Sequence, residues 1–180
     1  PYIYESHNSL MHDSSRLLNM IWTKYIVRIS SNTLMKKFIA ISGALGDFWI
    51  KQGIADEKVL SVHDGFDEAM FKDQLSIKEA RAMLEMPLLD KTVLYVGSLY
   101  RDRGIEDIIF LASELPTIKF RVVGGPDAER SRYIELASAE DVGNIEFLGS
   151  IEHRKVPIYL FSSDILLMTW SSAVKTIEYC

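Results

Sequence analysis

The first third of the chain alternates amphipathic stretches with short apolar ones. Apolar residues at steps of three and four predict a helix over residues 14–29. Short apolar runs predict strands at 37–41 and 59–62, with a helix between them at 44–52. Gly53 stands directly after that helix and is expected to end it, because glycine readily adopts the left-handed backbone of a helix C-terminus.

The helix at 14–29 has one continuous apolar face, and Arg16, Lys24 and Arg28 lie off it. We interpret the face as one that packs against a protein core. Contact of this basic helix with a membrane surface is the alternative, which three basic residues alone do not favour. The residues of the face are Leu17, Leu18, Ile21, Trp22, Tyr25, Ile26 and Ile29.

From residue 92 onward, strands and helices alternate regularly. A more polar stretch at 67–91 separates this part from the first, and it contains one helix at 76–84 that Pro87 ends. Strands that alternate with helices imply a parallel sheet with right-handed crossovers, so the fold class is α/β. The expected strands are 92–96, 119–123, 145–148 and 164–168, and the expected helices are 104–115, 129–139 and 156–161.

Glycines stand at the ends of three expected strands. They are Gly97, the pair Gly124 and Gly125, and Gly149. Parallel sheets of α/β proteins bind ligands at the carboxyl ends of their strands, and glycine lets the backbone approach a ligand closely. The pattern therefore predicts a ligand site at this edge, although Gly124, Gly125 and Pro126 taken alone are typical of an ordinary turn.

The composition excludes several classes of protein. The 180 residues include 20 basic and 25 acidic ones, which gives a net charge of −5 and excludes nucleic-acid binding through a basic surplus. A hydrophobic content of 48% with 25% charged residues is typical of globular proteins and excludes a disordered chain. The apolar runs are too short to cross a bilayer.

A single cysteine, Cys180, excludes an intramolecular disulfide and favours a reducing compartment, so we expect a cytoplasmic protein. No zinc-ligand spacing is present, and no metal site is expected. The chain opens on Pro1 without an initiator methionine and stops inside an expected helix, so we expect it to be a fragment of a longer protein.

The loop between the strand at 92–96 and the next helix is the first candidate for chemistry. A helix N-terminus carries free N–H groups and a partial positive charge, which suit a phosphate. Arg101 or Arg103 in this loop can add charge-assisted hydrogen bonds. The glycine fingerprint of dinucleotide-binding proteins is absent, which disfavours a nicotinamide dehydrogenase. An ordinary turn with solvated arginines is the alternative.

Three further polar groups are candidates. Lys175 and Glu178 are three residues apart and share a helix face, where the carboxylate can accept hydrogen bonds from a ribose diol or form a surface salt bridge. His7 follows an apolar start and is expected at the carboxyl end of a strand. The segment 63–67 is expected to form a turn, with Gly65 at positive φ.

Taken in order, these pieces resemble the family 4 glycosyltransferases, retaining sugar transferases of the GT-B fold, in which two Rossmann-like domains face a cleft. The resemblance covers nearly the whole chain. No single motif decides it, but the order and spacing of the motifs are specific. The matching segments are 3–7, 39–42, 59–67, 93–99, 103–106, 122–125, 144–149 and 175–179.

The resemblance implies two Rossmann-like parallel-sheet domains, both incomplete in this chain. Residues 1–75 match the end of the N-terminal acceptor domain, 76–88 a linker, and 89–180 the beginning of the nucleotide-sugar domain. The implied reaction moves a sugar from a UDP- or GDP-linked donor to a hydroxyl of a glycan, lipid or small molecule. The implied enzyme needs no metal and no cofactor besides its donor. A peripheral membrane location stays open.

The resemblance also implies roles for single residues. The diphosphate would meet the backbone of Gly97 and the side chain of Arg103, whereas Ser98 replaces an arginine that many members have. Glu178 would bind the ribose, and His7 would lie near the transferred sugar; these two are the expected catalytic residues. The expected donor-binding residues are Gly97, Ser98, Arg103, Gly124, Gly125, Phe147, Leu148, Gly149, Lys175 and Glu178.

One departure from the family pattern stands out. Trp170, eight positions before Glu178, replaces the first glutamate of the family's paired-glutamate motif, and the loop between Met168 and Ala173 is short. Two alternatives to a transferase therefore stay open. One is a nucleotide-sugar epimerase of the same architecture, which the pattern at 175–179 disfavours, and the other is a nucleotide-binding module without catalysis.

Overall fold

The computed structural model describes residues 1–7 and 16–169. Among these residues, backbone contacts separate two compact units. Unit 1 comprises residues 1–7 and 16–66, and unit 2 comprises residues 67–169. No helix in the described part of the chain combines the length and the apolar character that a membrane span requires.

Unit 1 is a three-stranded parallel sheet with two helices. The strands stand in the order β1-β2-β3, so each crossover moves one position along the sheet. The two helices expected in this unit, at 14–29 from apolar periodicity and at 44–52 between two short strands, are confirmed. The elements are β1 (Tyr2–Ser6), α1 (Arg16–Ser30), β2 (Met35–Ala40), α2 (Gly43–Gln52) and β3 (Val59–Ser61).

Local signals fix both ends of α2. The Ser42 hydroxyl accepts a hydrogen bond from the Leu45 amide at 3.1 Å, which satisfies one of the free N–H groups of the first turn. Gly53 ends the helix with φ +112°, as expected. In the core of this unit, the Trp49 indole Nε1 donates to Ser6 Oγ at 3.0 Å, which ties α2 to the end of β1.

The interpretation of α1 as one core-facing apolar surface is wrong for four of the seven residues of that face. Ile26 is fully buried, but it lies nine residues from Leu17, which at 3.6 residues per turn places the two on opposite sides of the helix. One side packs on the sheet while the other faces solvent. The exposed apolar side chains are Leu17 (60% exposed), Leu18 (50%), Ile21 (53%) and Tyr25 (55%).

The expectation that Gly65 adopts a positive φ is also wrong. The glycines with positive φ in the described residues are Gly53, Gly104, Gly124 and Gly149. Residues 62–67 continue from β3 without a turn, so the backbone there has no need of a left-handed conformation.

Unit 2 is a four-stranded parallel sheet in the order β6-β5-β4-β7. The expected alternation of strands and helices is confirmed, and the segment 76–88, expected as a linker, forms α3 and lies within this unit. The elements are α3 (Ile77–Met83), β4 (Thr92–Val96), α4 (Ile105–Glu114), β5 (Lys119–Val123), α5 (Asp127–Ala139), β6 (Ile145–Gly149), α6 (Val156–Ser162) and β7 (Ile165–Leu167).

The strand order creates a switch point beside β4. The chain moves from β4 through β5 to β6 in one direction, and α6 then carries it back to place β7 on the other side of β4. The carboxyl ends of β4 and β7 therefore lie side by side at this switch point, the place where open α/β sheets bind ligands.

A buried ion pair holds the amino ends of these strands. Arg81 on α3 is only 3% exposed, and its Nη2 donates to Asp164 Oδ2 at 2.7 Å. The same guanidinium donates to the carbonyls of Ser162 at 2.9 Å and Leu88 at 2.7 Å. Asp164 Oδ2 also accepts from the Thr92 amide at 2.8 Å, so one pair joins α3, β4 and the chain between α6 and β7.

These contacts change the acidity of Asp164. The hydrogen bond from the Thr92 amide lowers the pKa of this carboxyl, partial burial opposes that effect, and the Arg81 and Lys91 side chains lower it further. The ionised carboxylate is therefore the form that the fold stabilises.

The carboxyl ends of β4, β5 and β6 meet without side chains between them. The Gly97 amide donates to the Val123 carbonyl at 3.0 Å, and the Gly124 amide donates to the Gly149 carbonyl at 2.9 Å. Gly124 has φ +143°, and a Cβ added to it would overlap the carbonyl oxygen of Gly97. The backbone contact between β4 and β5 at this edge therefore requires glycine.

Replacing Asp164 by asparagine is expected to destabilise unit 2 by about 3–5 kcal/mol, because it leaves the Arg81 charge buried without its carboxylate. The unaltered chain should lose stability as the pH falls through the lowered pKa of Asp164, and the asparagine variant should lack this dependence. Hydrogen exchange of the β4 and β7 amides at about pH 7 and about pH 3, corrected for intrinsic rates, measures both effects.

Lys91→Ala is the matched control, because Lys91 Nζ contacts the same carboxylate at 3.2 Å but is exposed to solvent. Its loss is expected to cost no more than about 1 kcal/mol. Equal effects of the two substitutions would show that the buried pair does not hold the unit.

Gly124→Ala is expected to destabilise unit 2 by about 2–4 kcal/mol, because the added methyl group overlaps the Gly97 carbonyl and φ is positive. Gly143→Ala is the control, since its Cβ would meet no atom within 4 Å. Denaturant unfolding followed by circular dichroism measures both. A stability of Gly124→Ala equal to that of the control would contradict the close approach of the two strands.

Candidate functional site

The candidate site lies at the carboxyl edge of the sheet of unit 2, at the switch point between β4 and β7. The loop from Gly97 to Gly104 leaves β4 and leads into α4. Thr169, two residues beyond β7, donates its hydroxyl to the carbonyl of Arg103 at 2.7 Å. The segments that follow β4 and β7 therefore meet at Arg103.

The start of α4 is suited to bind an anion. Gly104 forms the N-cap with φ +66°, and it has no side chain with which to cap the helix. The first N–H groups of α4 therefore point out of the helix with the positive end of its dipole. This arrangement is what the sequence predicted for the loop after β4.

Arg103 lies beside this helix start and is mostly buried. Its side chain is 24% exposed, and its Nε is 3.8 Å from Asp102 Oδ1. Burial raises the pKa of Tyr95, while the charges of Arg103 and Asp102 lower and raise it respectively. Arg101, in contrast, is exposed to solvent. Of the two arginines considered for this loop, Arg103 is thus the one held at the site.

Two residues anchor the loop, and the sequence pattern singled out neither of them. The Tyr95 hydroxyl donates to the carbonyl of Ser98 at 2.9 Å. The side chain of Leu99 is fully buried in the core of unit 2, and its amide donates to the Gly125 carbonyl at 2.8 Å. An apolar residue inside a polar loop, as Leu99 is, was the available sequence signal for such an anchor.

Of the two acidic residues in the first turn of α4, Glu106 and Asp107, Glu106 is held by partners on α5. Glu106 Oε1 accepts from Arg132 Nη2 at 2.7 Å, and both carboxylate oxygens lie 3.3 Å from the Tyr133 hydroxyl. Burial, together with the neighbouring Glu106 charge, raises the pKa of Tyr133 to about 12. Tyr133 therefore stays a protonated donor near neutral pH, and Glu106 does not compete with an anion at the helix terminus.

The expected nucleobase region follows the ends of β5 and β6. The ring of Phe147 stacks on Tyr133 with centroids 6.4 Å apart, so this side chain belongs to the packing between β6 and α5. A ligand at this edge would meet the backbone of residues 147–149 and of the neighbouring Gly124 and Gly125. Leu148 is half-buried and Gly149 is buried.

In unit 1, His7 belongs to an exposed polar cluster. His7 Nε2 lies 3.1 Å from Glu5 Oε1. Asp64, which the sequence analysis assigned only to a turn, joins them, and the ligand atoms of the three residues lie within 4.8 Å of one another. One histidine and two carboxylates can share a proton or bind a divalent cation, but exposed groups of this kind also occur as ordinary solvated surface.

Several predicted residues lie outside the described residues. They are Lys175, Glu178 and the departure at Trp170. The described part of the site therefore brings together Gly97, Ser98, Arg103, the glycines after β5 and the segment 147–149, while the roles of His7, Lys175 and Glu178 stay predictions.

A protein-family model described as glycosyl transferases group 1 matches residues 76–175. No curated protein sequence matches the chain at a significant level.

Solved structures of glycosyltransferases resemble the chain over most of its length. HepE of Anabaena, solved with UDP-glucose, has a TM-score of 0.74 and 20% identity and aligns over 94% of this chain and 47% of its own. Sucrose-phosphate synthase of Thermosynechococcus elongatus has the same score and identity, over 92% and 43%. TarM of S. aureus, in complex with Fondaparinux, alpha-GlcNAc-glycerol and UDP, has a TM-score of 0.64 and 14% identity, over 92% and 31%.

The chain thus spans less than half the length of each of these proteins. At these identities the likeness establishes the fold, which is the α/β GT-B fold, of which this chain holds a part. The family model covers more than half of the chain and includes the whole candidate site from Gly97 to Thr169. The chain therefore belongs to the group 1 glycosyltransferases.

Proposed function

We propose that the complete protein transfers a sugar from a nucleoside-diphosphate sugar to a hydroxyl acceptor, with retention of configuration as in the family 4 glycosyltransferases. Membership of the group 1 glycosyltransferases supports the transfer of a sugar. The observation that carries the proposal is the glycine-capped start of α4 with Arg103 held beside it, at the switch point of the sheet. This is where a diphosphate would bind.

The same geometry explains how the site would assist the reaction. When the bond from the sugar to the diphosphate breaks, negative charge builds up on the leaving phosphate. Fixed N–H groups of α4 and the guanidinium of Arg103 stabilise that charge more strongly than the smaller charge of the bound donor. These groups need no rearrangement during the reaction, because the anchors at Tyr95 and Leu99 hold the loop.

UDP is the nucleotide that the structural neighbours support first. HepE was solved with UDP-glucose and TarM with UDP. We propose a UDP-linked donor for this protein, with GDP as the alternative, and no cofactor or metal besides the donor. The acceptor is a glycan, a lipid or a small molecule, and the reaction takes place in the cytoplasm. His7, Lys175 and Glu178 keep the roles that the family resemblance implies.

The departure at Trp170 favours a second candidate, a protein that binds the nucleotide without turning it over. Incubation of the complete protein with UDP-glucose separates the possibilities. Slow hydrolysis or transfer supports the transferase, an epimer of the sugar supports an epimerase, and binding without any product supports the second candidate.

Arg103→Ala is expected to weaken UDP binding about ten- to a hundredfold, because a charge-assisted hydrogen bond contributes roughly 1.5–3 kcal/mol. Isothermal titration calorimetry of the chain with UDP, in the presence of EDTA, measures the affinity. The matched control is Arg101→Ala, since Arg101 belongs to the same loop and is exposed. An affinity that Arg103→Ala leaves unchanged removes the proposed role of this residue.

We also infer that the exposed side of α1 contacts an anionic lipid surface. Leu17, Ile21 and Tyr25 follow one another at steps of four residues and stand out into solvent. Lys24 and Arg28 fall on the same side of the helix and are exposed as well. An apolar strip with adjoining basic side chains is the pattern of helices that lie in the membrane interface.

The local charge supports this inference and revises the preference for core packing that the sequence suggested. Residues 16–37 contain no acidic side chain, so the attraction to anionic headgroups is not opposed within this segment. Its basic residues are Arg16, Lys24, Arg28, Lys36 and Lys37.

The paired substitution of Lys24 and Arg28 by glutamate is expected to weaken binding to anionic vesicles at least thirtyfold, since each basic residue near such a surface contributes about 1 kcal/mol. The paired substitution of Leu17 and Ile21 by glutamine should also weaken vesicle binding, because it removes apolar surface that would be buried in the membrane interface. Sedimentation with phosphatidylglycerol vesicles measures both, with phosphatidylcholine vesicles as the uncharged reference. Phe110→Gln on α4, an exposed apolar residue of unit 2, is the control. Equal binding of all variants would contradict the contact.

A further inference from the structure

Arg130 occupies a position at the candidate site that the proposed mechanism does not use. It lies in the first turns of α5, which begins directly after the glycines that end β5. Its side chain crosses to the end of β6 and lies against Gly149. The guanidinium therefore stands at the carboxyl edge of the sheet of unit 2, on the side of β5 and β6.

Gly149 provides the space for this guanidinium. A Cβ added to Gly149 would lie 2.6 Å from Arg130 Nη1 and 3.4 Å from its Cζ, closer than real side chains approach. The backbone at Gly149 has φ +76°, a conformation that also favours glycine. The end of β6 thus leaves the space that the guanidinium occupies.

The hydrogen-bonding capacity of Arg130 is not used up within the described residues. Its Nε is buried and has no hydrogen-bond partner there. The nearest carboxylate oxygen, Oδ1 of the exposed Asp127, is 3.8 Å from Nε, beyond hydrogen-bonding distance. The Nε of Arg132, two residues later, also has no hydrogen-bond partner, but its Nη2 donates to Glu106 at 2.7 Å. A buried donor without an acceptor is unfavourable, and a ligand oxygen that reaches it would offset that cost.

The position of Arg130 relative to α4 indicates which part of a bound nucleotide would reach this side chain. In sheets of this topology the diphosphate binds at the helix that follows the first strand, here α4 after β4. The nucleoside then extends over the carboxyl ends of the next strands, here β5 and β6. Arg130 stands at the end of β6 and therefore on the nucleobase side.

We propose that Arg130 selects the nucleobase of the donor by donating hydrogen bonds to a ring carbonyl. This inference rests on the proposed function of the same site. A guanidinium has five N–H donors and no acceptor, so it suits a base edge that presents only acceptors. Uracil presents two carbonyl oxygens, whereas adenine places an amino donor beside its N1 and N7 acceptors, and a guanidinium cannot satisfy that donor. Arg130 thus favours UDP over ADP as the nucleotide part of the donor.

Calorimetric titrations of the chain with UDP, ADP and inorganic pyrophosphate test this proposal. Arg130→Ala is expected to weaken UDP binding about tenfold, the effect of one charge-assisted hydrogen bond, and to leave ADP and pyrophosphate affinities unchanged. Arg130→Lys keeps the positive charge but loses the planar fork, so it should keep the pyrophosphate affinity and lose most of the preference for UDP. Arg154→Ala, at an exposed arginine of unit 2, is the control and should change none of the three affinities.

Each outcome decides the question. Equal losses for UDP, ADP and pyrophosphate in Arg130→Ala would mean that the residue acts on the phosphates or on the fold, and would overturn the proposal. An unchanged ratio of UDP to ADP affinity would overturn it as well. If the unaltered chain binds neither UDP nor pyrophosphate, the proposed function itself fails, which is distinct from binding that Arg130 does not influence.

Discussion

The buried ion pair between Arg81 and Asp164 is the constraint on which unit 2 depends. The Arg81 guanidinium bridges α3 to the carbonyl of Ser162 and to the carboxylate that receives the Thr92 amide, so the beginnings of β4 and β7 are tied to one charged centre. A buried arginine is costly unless its donors are satisfied, and three of its N–H groups are. These contacts fix β4 and β7 at their amino ends, opposite the edge where β4 ends in glycine.

At the carboxyl edge of this sheet, backbone groups are exposed to a ligand because glycines leave them without side chains. Gly124 approaches the Gly97 carbonyl as only glycine can, and α4 begins at Gly104 with no side chain over its first N–H groups. The whole chain has a net charge of −5, yet Tyr133 and Arg132 draw Glu106 away from the helix start while Arg103 stays beside it. The local arrangement of charges, and not their sum, therefore makes this edge attractive to an anion.

Periodicity predicted the elements well because each depends on neighbours in the sequence, as at Ser42 and Gly53 around α2. What it missed depends on distant residues. The partner of Asp164 lies on α3, and the apolar pattern of α1 did not reveal which of its two sides meets the sheet. The glycine-rich edge was predicted because glycine indicates a place where the backbone must adopt a positive φ or approach another group closely. The contact of Arg130 with Gly149, in contrast, forms only when α5 packs beside β6.

Some of the segments that match the family stabilise the fold rather than supply chemistry. Asn144, part of the matching segment 144–149, donates its amide to the carbonyls of Ala112, Leu115 and Ile118 and so satisfies the end of α4, far from the ligand edge. Residues that only hold the fold do not discriminate between donors, whereas Ser98, Arg103 and Arg130 stand at the edge where a nucleotide would lie. The substrate of this protein is therefore better sought in the side chains at this edge than in those, such as Asn144, that stabilise the fold.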